Sequence, residues 1–403
     1  MKYLIIVPDG AGDDPIPSLD GKTPLEVSDI PVINELASKG EVGMVKTIPD
    51  GVAPGSDAAN LSVMGFDPGI YLTGRSPLEA ASIGVEMSDT DVAFRTNLVT
   101  LSGDGPFEEL IIQDHSSGDI STEEADQLIR AVQEAFGNEE VEFHTGVSYR
   151  HCMIHHGGTT DHDFTPPHDQ LGKPAGPYLP KGENGKWIAD MIKKSYEILK
   201  DHPVNKARIA KGLNPGNAIW IWGQGTKPKL DSFYDKYGIT GSAISAVDLI
   251  KGIAICAGLD SVDVEGATGT LHTNFEGKAD AAIKAFSEGK DFVYVHLEGP
   301  DECSHQADLP GKISCMHDID QKVVKPIWEA LKEMGEDFRI LVVPDHRTPI
   351  DIRTHSADPV PFVLYRSNEE REPDPARQFN ERSGEKGKFF DGGFALADYF
   401  FGG

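Results

Sequence analysis

The sequence predicts an α/β protein built on a doubly wound sheet, with a smaller α+β domain inserted into it. Three observations carry this. Short apolar runs alternate with amphipathic ones over most of the 403 residues, the pattern of strands joined by crossover helices. Carboxylates and imidazoles follow directly on several of those apolar runs, where an open α/β sheet assembles its sites. From about residue 93 to 204 the alternation breaks into closely spaced strands, two amphipathic helices and a stretch rich in Gly, Pro and Asp.

In order, Tyr3–Val7 is expected as a strand and Pro31–Lys39 as a helix. After the break come strand Ala218–Trp222, helix Leu230–Tyr237, strand Ser242–Ala246, helix Asp248–Ala257, strand Ser261–Val264 and helix Gly277–Ser287. Strand Phe292–Leu297, a long helix Ser314–Glu333, strands Ile340–Val343 and Val360–Tyr365, and a closing helix Gly393–Phe400 complete the main sheet. Within the break, Val92–Leu101, Val141–Thr145 and Arg150–His155 read as strands, and Glu123–Phe136 and Trp187–Lys200 as helices. The last of these should end at His202-Pro203, because proline disfavours the helical conformation before it. The expected division is a discontinuous main domain, residues 1–92 and 205–403, around an insert at 93–204.

Acidic residues outnumber basic ones 65 to 37, a formal net charge of −28. A polyanion would be repelled, so nucleic acid is excluded as a general partner. No apolar run reaches the roughly 20 residues of a membrane span, and the first apolar run meets charge too soon for a signal peptide. A cytoplasmic address is expected. Four cysteines, Cys152, Cys256, Cys303 and Cys315, form no CxxC pair and are expected as free thiols.

The chemistry-bearing residues stand at strand ends. Asp9-Gly10 follows Tyr3–Val7; Asp301 and His305 follow Phe292–Leu297; Asp345-His346 follows Ile340–Val343; His355 comes nine residues later. Asp301 and His305, four apart, share a face if helical. Mixed carboxylate and imidazole donors suit Mn²⁺ or Zn²⁺ better than Ca²⁺. Ser56, in Pro54-Gly55-Ser56-Asp57-Ala58, reads as a helix N-cap. A helix start is also a phosphate cradle, and a nearby metal would activate the hydroxyl as a nucleophile. For anion contact the candidates are Arg95, Arg150 and His151 in the insert, with Lys251 and, less placed by context, Arg75 and Lys278.

Together, Asp9-Gly10, the Pro-Gly-Ser56-Asp segment, Asp301-x-x-x-His305, Asp345-His346 and His355 resemble the cofactor-independent phosphoglycerate mutases of the alkaline phosphatase superfamily, in their archaeal-type branch. The resemblance extends to Gly21–Leu25, Tyr71–Ala80, Asp91–Asn97 and Val264–Gly269. It implies an alkaline-phosphatase-like sheet with the insert as a lid. It also implies two divalent ions (Mn²⁺ or Zn²⁺, with Mg²⁺ or Co²⁺ as alternatives), one on Asp9, Ser56, Asp345 and His346, the other on Asp301, His305 and His355. The implied reaction is interconversion of 2- and 3-phosphoglycerate through phosphoserine at Ser56. No general acid is assigned, and the oligomeric state is left open.

A homoserine kinase of the same branch is the main rival, since Gln113–Asp126 resembles that subgroup; a phosphomonoesterase and a non-catalytic binding protein are the others. Gly21-Lys22-Thr23 is not a P-loop end, because Ile16 stands where the loop needs glycine. His155-His156, His162 and His168 offer a metal tract or, the expected reading, a polar loop, and Cys303 is not expected as a ligand.

Overall fold

The computed structural model describes residues 1–402. It divides into two compact units, residues 1–72 with 229–403 and residues 73–228.

The first unit carries an eight-stranded sheet. In chain order its strands are β1 (Lys2–Pro8), β2 (Glu41–Val45), β8 (Gly241–Ile244), β9 (Asp260–Val262), β10 (Phe292–Leu297), β11 (Phe338–Val342), β12 (Val360–Arg366) and β13 (Lys388–Phe390); β3 to β7 lie in the second unit. In space the order is β13-β2-β12-β11-β1-β10-β8-β9. Strands β11, β1, β10, β8 and β9 run parallel, while β12 is antiparallel to both β11 and β2. The α/β class and the wound sheet follow the sequence expectation, with an antiparallel step at one side. The central strands β1, β10 and β11 are mostly apolar, with Lys2, His296 and Arg339 as exceptions, and all their residues but the half-buried Tyr3 are buried, as expected of strands covered on both faces.

One covering layer packs Ile33, Leu36, Phe275, Phe286, Met316, Ile319 and Ile327 onto these strands. The long helix expected at Ser314–Glu333 is instead Leu309–Ile319, a π-helical segment Asp320–Val324, and Lys325–Met334. Pro326 lacks an N–H and its ring crowds the preceding turn, which the wider π-turn relieves. That turn also aims Asp320 at the start of helix Pro31–Lys39, where its carboxylate accepts the N–H of Val32 at 3.2 Å and of Ile33 at 2.7 Å. Ile30 gives that helix no side-chain cap of its own, so a distant aspartate does the capping.

The second unit is α+β. Its strands are β3 (Val92–Ser102), β4 (Ile111–Asp114), β5 (Val141–Val147), β6 (Arg150–His155) and β7 (Ala218–Thr226). The order is β4-β3-β6-β5, with β7 paired antiparallel to β3. This corrects the expectation for Ala218–Trp222, a strand placed in the main sheet by the sequence pattern. It also moves the boundaries outward from 93 and 204. Trp220, Ile221 and Ile219 pair with Thr96–Leu98 and bury into the insert's own core with Phe94, Leu128 and Ile192. A hydrophobic run fixes that a strand forms, but not which sheet receives it. Helix Ser76–Ser82 joins the same unit against Ala93, Cys152 and Ile154 through Ala80.

All four cysteines are free, as expected. Among the described residues no helix is long and apolar enough to cross a membrane.

Candidate active site

The site is built at the carboxyl ends of β1, β10 and β11, the central strands of the large sheet. Asp9 follows β1 directly, and the Asp9 N–H bonds Leu297 O of β10 at 3.0 Å. Gly10 turns the chain with φ +63°; a Cβ there would lie 2.6 Å from both Asp301 Oδ1 and Thr348 Oγ1. Only glycine therefore lets the β1 turn pass this close. Asp345 and His346 lie in the bend after β11, both fully buried. The Asp345 carboxylate accepts from the Gly10 N–H at 3.1 Å, from the His346 N–H at 2.9 Å and from Asn60 Nδ2 at 2.7 Å.

Ser56 is the first residue of helix Ser56–Val63. The expected N-cap role falls to Gly55, so the Ser56 hydroxyl is not consumed by capping. It lies 3.1 Å from His346 Nε2, at an end where backbone N–H groups lack helical partners and favour an anion. Asn60, one turn on, returns Nδ2 to Ser56 O at 2.9 Å and receives the Tyr294 hydroxyl at 2.5 Å.

Asp9, Asp345 and His346 bring donor atoms within 4.8 Å of one another, and so do Asp301, His346 and His355. His346 thus belongs to both groups, a sharing that the spacing did not reveal. Helix Gly299–His305 presents Asp301 and His305 on one face, as their separation predicts, with His305 Nε2 3.1 Å from Asp301 Oδ2. His305 Nε2 and His355 Nε2 face each other at 3.2 Å, and His355 Nε2 is 3.5 Å from Asp301 Oδ1. The other His305 nitrogen, Nδ1, meets Arg353 O at 2.9 Å, which fixes the ring and turns Nε2 inward.

The electrostatics ask for cations. Burial, with Asp345 and Asp301 nearby, holds the Asp9 carboxyl well above its usual range. Its Oδ1 is buried without a hydrogen-bond partner. Asp301 goes the other way: burial would raise it, but His305 and His355 more than offset that and lower it. His305 is raised to about 9, first by its hydrogen bond to Asp301, while burial lowers His346. Two buried carboxylates, the half-buried Asp301 and opposed imidazole nitrogens are a costly arrangement without positive charge among them. Two divalent ions fit this donor set.

The sequence reading missed what stands behind Asp9. His296 Nε2 is 3.2 Å from Asp9 Oδ2, and its Nδ1 is 3.1 Å from Glu298 Oε1. Lys278 Nζ donates to Glu298 Oε2 at 2.9 Å, and all four side chains are buried. Burial alone would lower His296, but the two flanking carboxylates raise it to about 10. Glu298 is lowered to about 2, as His296 and Lys278 outweigh burial. The available signal was a histidine inside an otherwise apolar strand. Lys278, offered above as an anion contact, is committed to this chain.

The other candidate contacts are dispersed. Lys251 pairs with Asp263 at 2.6 Å. In the second unit, Arg95 on β3 lies 3.0 Å from Glu79 and 4.4 Å from the Trp222 ring centroid. Arg150 is exposed beside Tyr149. His151 is 4% exposed, with Nδ1 accepting the Gly146 N–H, so it offers a substrate almost no surface. Aromatic edges link Trp222 to His168 at 5.3 Å, His168 to His115 at 6.0 Å, and His115 to Tyr149 at 5.6 Å. Arg95 and Arg150 thus bracket a ring-lined face carrying two further imidazoles. For His168 the sequence offered a polar loop or a metal tract rather than an aromatic face, and His115 was not singled out.

Fold and site together define an α/β enzyme whose serine and charged groups meet at the carboxyl edge of its large sheet. A sequence profile described as 2,3-bisphosphoglycerate-independent phosphoglycerate mutase matches residues 37–205. The enzyme of that name from Methanosarcina barkeri is 48% identical over 96% of each chain. A probable one from Geobacter sulfurreducens is 44% identical over 99% of each. Among solved structures, a Pyrococcus horikoshii protein superimposes with a TM-score of 0.80 at 29% identity, covering 99% of this chain and 96% of its own. The cofactor-independent phosphoglycerate mutase of Thermoplasma acidophilum gives 0.68 at 28% identity, over 99% of each. The chain belongs to the 2,3-bisphosphoglycerate-independent phosphoglycerate mutase family.

Proposed function

We propose that this enzyme interconverts 2-phosphoglycerate and 3-phosphoglycerate through a phosphoserine on Ser56. Asp9, Ser56, Asp345 and His346 would hold one divalent ion, and Asp301, His305 and His355 the other. The observation that carries the reading is the Ser56 hydroxyl, free of capping and 3.1 Å from His346 Nε2 at a helix start beside the acidic cluster. Bound divalent ions supply a lowered serine hydroxyl pKa and neutralisation of the phosphoryl oxygens.

The chain's own groups then have the following tasks. Ser56 Oγ attacks phosphorus as the bond to the substrate oxygen breaks, leaving phosphoserine and glycerate. The hydroxyl proton leaves Ser56, and one proton reaches the departing oxygen. The other glycerate hydroxyl then attacks phosphorus, Ser56 Oγ leaves, and the protons return. Helix-start N–H groups hold the phosphoryl oxygens during both steps. Arg95, Arg150, His115 and His168 of the inserted unit offer cationic and hydrogen-bonding partners to a carboxylate and hydroxyls. The inserted unit serves as a lid that keeps water from phosphoserine, without which the enzyme would be a phosphatase. A cytoplasmic address suits that substrate.

An enolase-coupled assay with 3-phosphoglycerate and added Mn²⁺, run beside an ATP-plus-homoserine assay, tests the reading. Isomerisation without ATP is expected. Phosphorylation of homoserine with no isomerisation would overturn it, as would phosphate release faster than isomerisation.

A further inference from the structure

We propose that Thr348 is a positioning residue shared by both halves of the candidate metal centre. Its single hydroxyl sets the ring tautomer of His346 and holds Asp301 at the same time. The inference rests on the two-ion reading above.

Thr348 Oγ1 lies 2.5 Å from Asp301 Oδ1 and 3.2 Å from His346 Nδ1. A hydroxyl has one proton, and an ionised carboxylate only accepts. The proton therefore points to Asp301. The contact with His346 then requires Nδ1 to be the donor, so the ring carries its proton there. That leaves the lone pair on Nε2, the atom 3.1 Å from Ser56 Oγ, 3.4 Å from Asp345 Oδ2 and 3.5 Å from Asp9 Oδ1. An imidazole ligand needs this second hydrogen bond to fix its tautomer and direction. Here one oxygen supplies it to a member of the Ser56 group while bonding a member of the Asp301 group.

The hydroxyl has little freedom to point elsewhere. Thr348 is wholly buried. Its N–H donates to Gly12 O at 3.2 Å, and its carbonyl accepts from Lys312 Nζ at 3.0 Å. Lys312 is anchored in turn on Asp13 at 2.8 Å, both buried. Gly10 closes the other side, where a side chain would collide with the same hydroxyl. By contrast, His305 has its own separate acceptor in Arg353 O.

The test uses the full chain and Mn²⁺ alone as probe, by calorimetry after chelator treatment. Thr348→Val should weaken both ions by about 10–100-fold, and Thr348→Ser should hold them within about threefold of wild type. Unfolding midpoints of the ion-free proteins are measured alongside, since a merely structural role would move those and spare the affinities. Wild-type affinity at either site in Thr348→Val overturns the proposal. Should that variant not fold, nitrogen-15 spectra of His346 in the Zn²⁺-loaded wild type decide. A protonated Nδ1 with a metal-bound Nε2 supports the assignment, and the reverse tautomer overturns it. A chain that binds two Mn²⁺ yet fails to isomerise phosphoglycerate refutes the proposed reaction, while the affinities still judge Thr348.

Discussion

Ser56 Oγ lies 3.1 Å from His346 Nε2, although 290 residues separate them in the chain. The first comes from a helix start and the second from the bend after a central strand of the same unit. Their meeting turns a capping-type serine into a candidate nucleophile. Removing that oxygen is the most direct test. Ser56→Ala should lower kcat by about 10⁴-fold or more, as for other lost nucleophiles. Far-UV circular dichroism should match the wild type. Mass spectrometry of enzyme quenched with substrate should show a phosphate adduct in the wild type and none in the variant. A variant retaining a tenth of wild-type rate would rule the serine out.

Asn60 orients both ends of this pair, bonding Ser56 O and the Asp345 carboxylate while receiving the Tyr294 hydroxyl. Asn60→Ala should cost roughly 10–100-fold in metal affinity or activity, the usual loss for a partner behind a ligand. Tyr294→Phe should cost less, because Asp345 keeps its amide donor. Equal Mn²⁺ affinity in Asn60→Ala and wild type would contradict this.

Cations should also stabilise the fold. Asp9 is held above its usual range by burial and by Asp345 and Asp301, so folding without ions confines like charges. At a hundred times its Kd, one bound ion adds about 2.7 kcal/mol of stability. Differential scanning calorimetry should therefore show Tm falling when a chelator is added and recovering with Mn²⁺. An unchanged Tm would argue against ligation by these residues.

The chain Asp9–His296–Glu298–Lys278 alternates charges in full burial. Truncating one end leaves an uncompensated partner, a loss of roughly 3–5 kcal/mol. Lys278→Met should thus lower the urea midpoint markedly, and Lys278→Met/Glu298→Gln should recover part of the loss. Additive losses in the double variant would show that the pair is not coupled.

His151 gives a pH prediction confined to the inserted unit. Burial lowers its pKa to about 3 from an ordinary 6.5. Between those values the unfolded chain binds the proton and the folded one does not, so stability falls as pH drops below about 6.5. The loss is about 1.4 kcal/mol by pH 5.5 and grows by about as much per further unit. Urea midpoints from pH 7 to 5 should decline for wild type and decline less for His151→Gln. Identical slopes would refute the assignment.

Much of this was legible beforehand where local chemistry decides. Phe292–Leu297 occurs at the expected residues, because an apolar run with β-branched residues and turn residues at its ends has few alternatives, and Arg150–His155 also falls where expected. Glu41–Val45 was missed: its Gly43 weakens the strand signal, yet a Cβ there would strike Lys388 O and the Phe362 ring. Its pairing with β12 and β13 is what demands the glycine. Ala218–Trp222 was found as a strand and given to the wrong sheet, since its partner β3 lies over a hundred residues away.

The sequence by itself determined the α/β class, the strand-end carboxylates and imidazoles, and the helix-start serine. Each follows from periodicity or from residue type at a local position. Only the tertiary structure decided that His346 serves two groups, that His296 and Lys278 stand behind Asp9, and that Thr348 joins Asp301 to His346. Those relations depend on which strand ends become neighbours and on ångström-scale directions of single lone pairs. Local propensity carries no record of either.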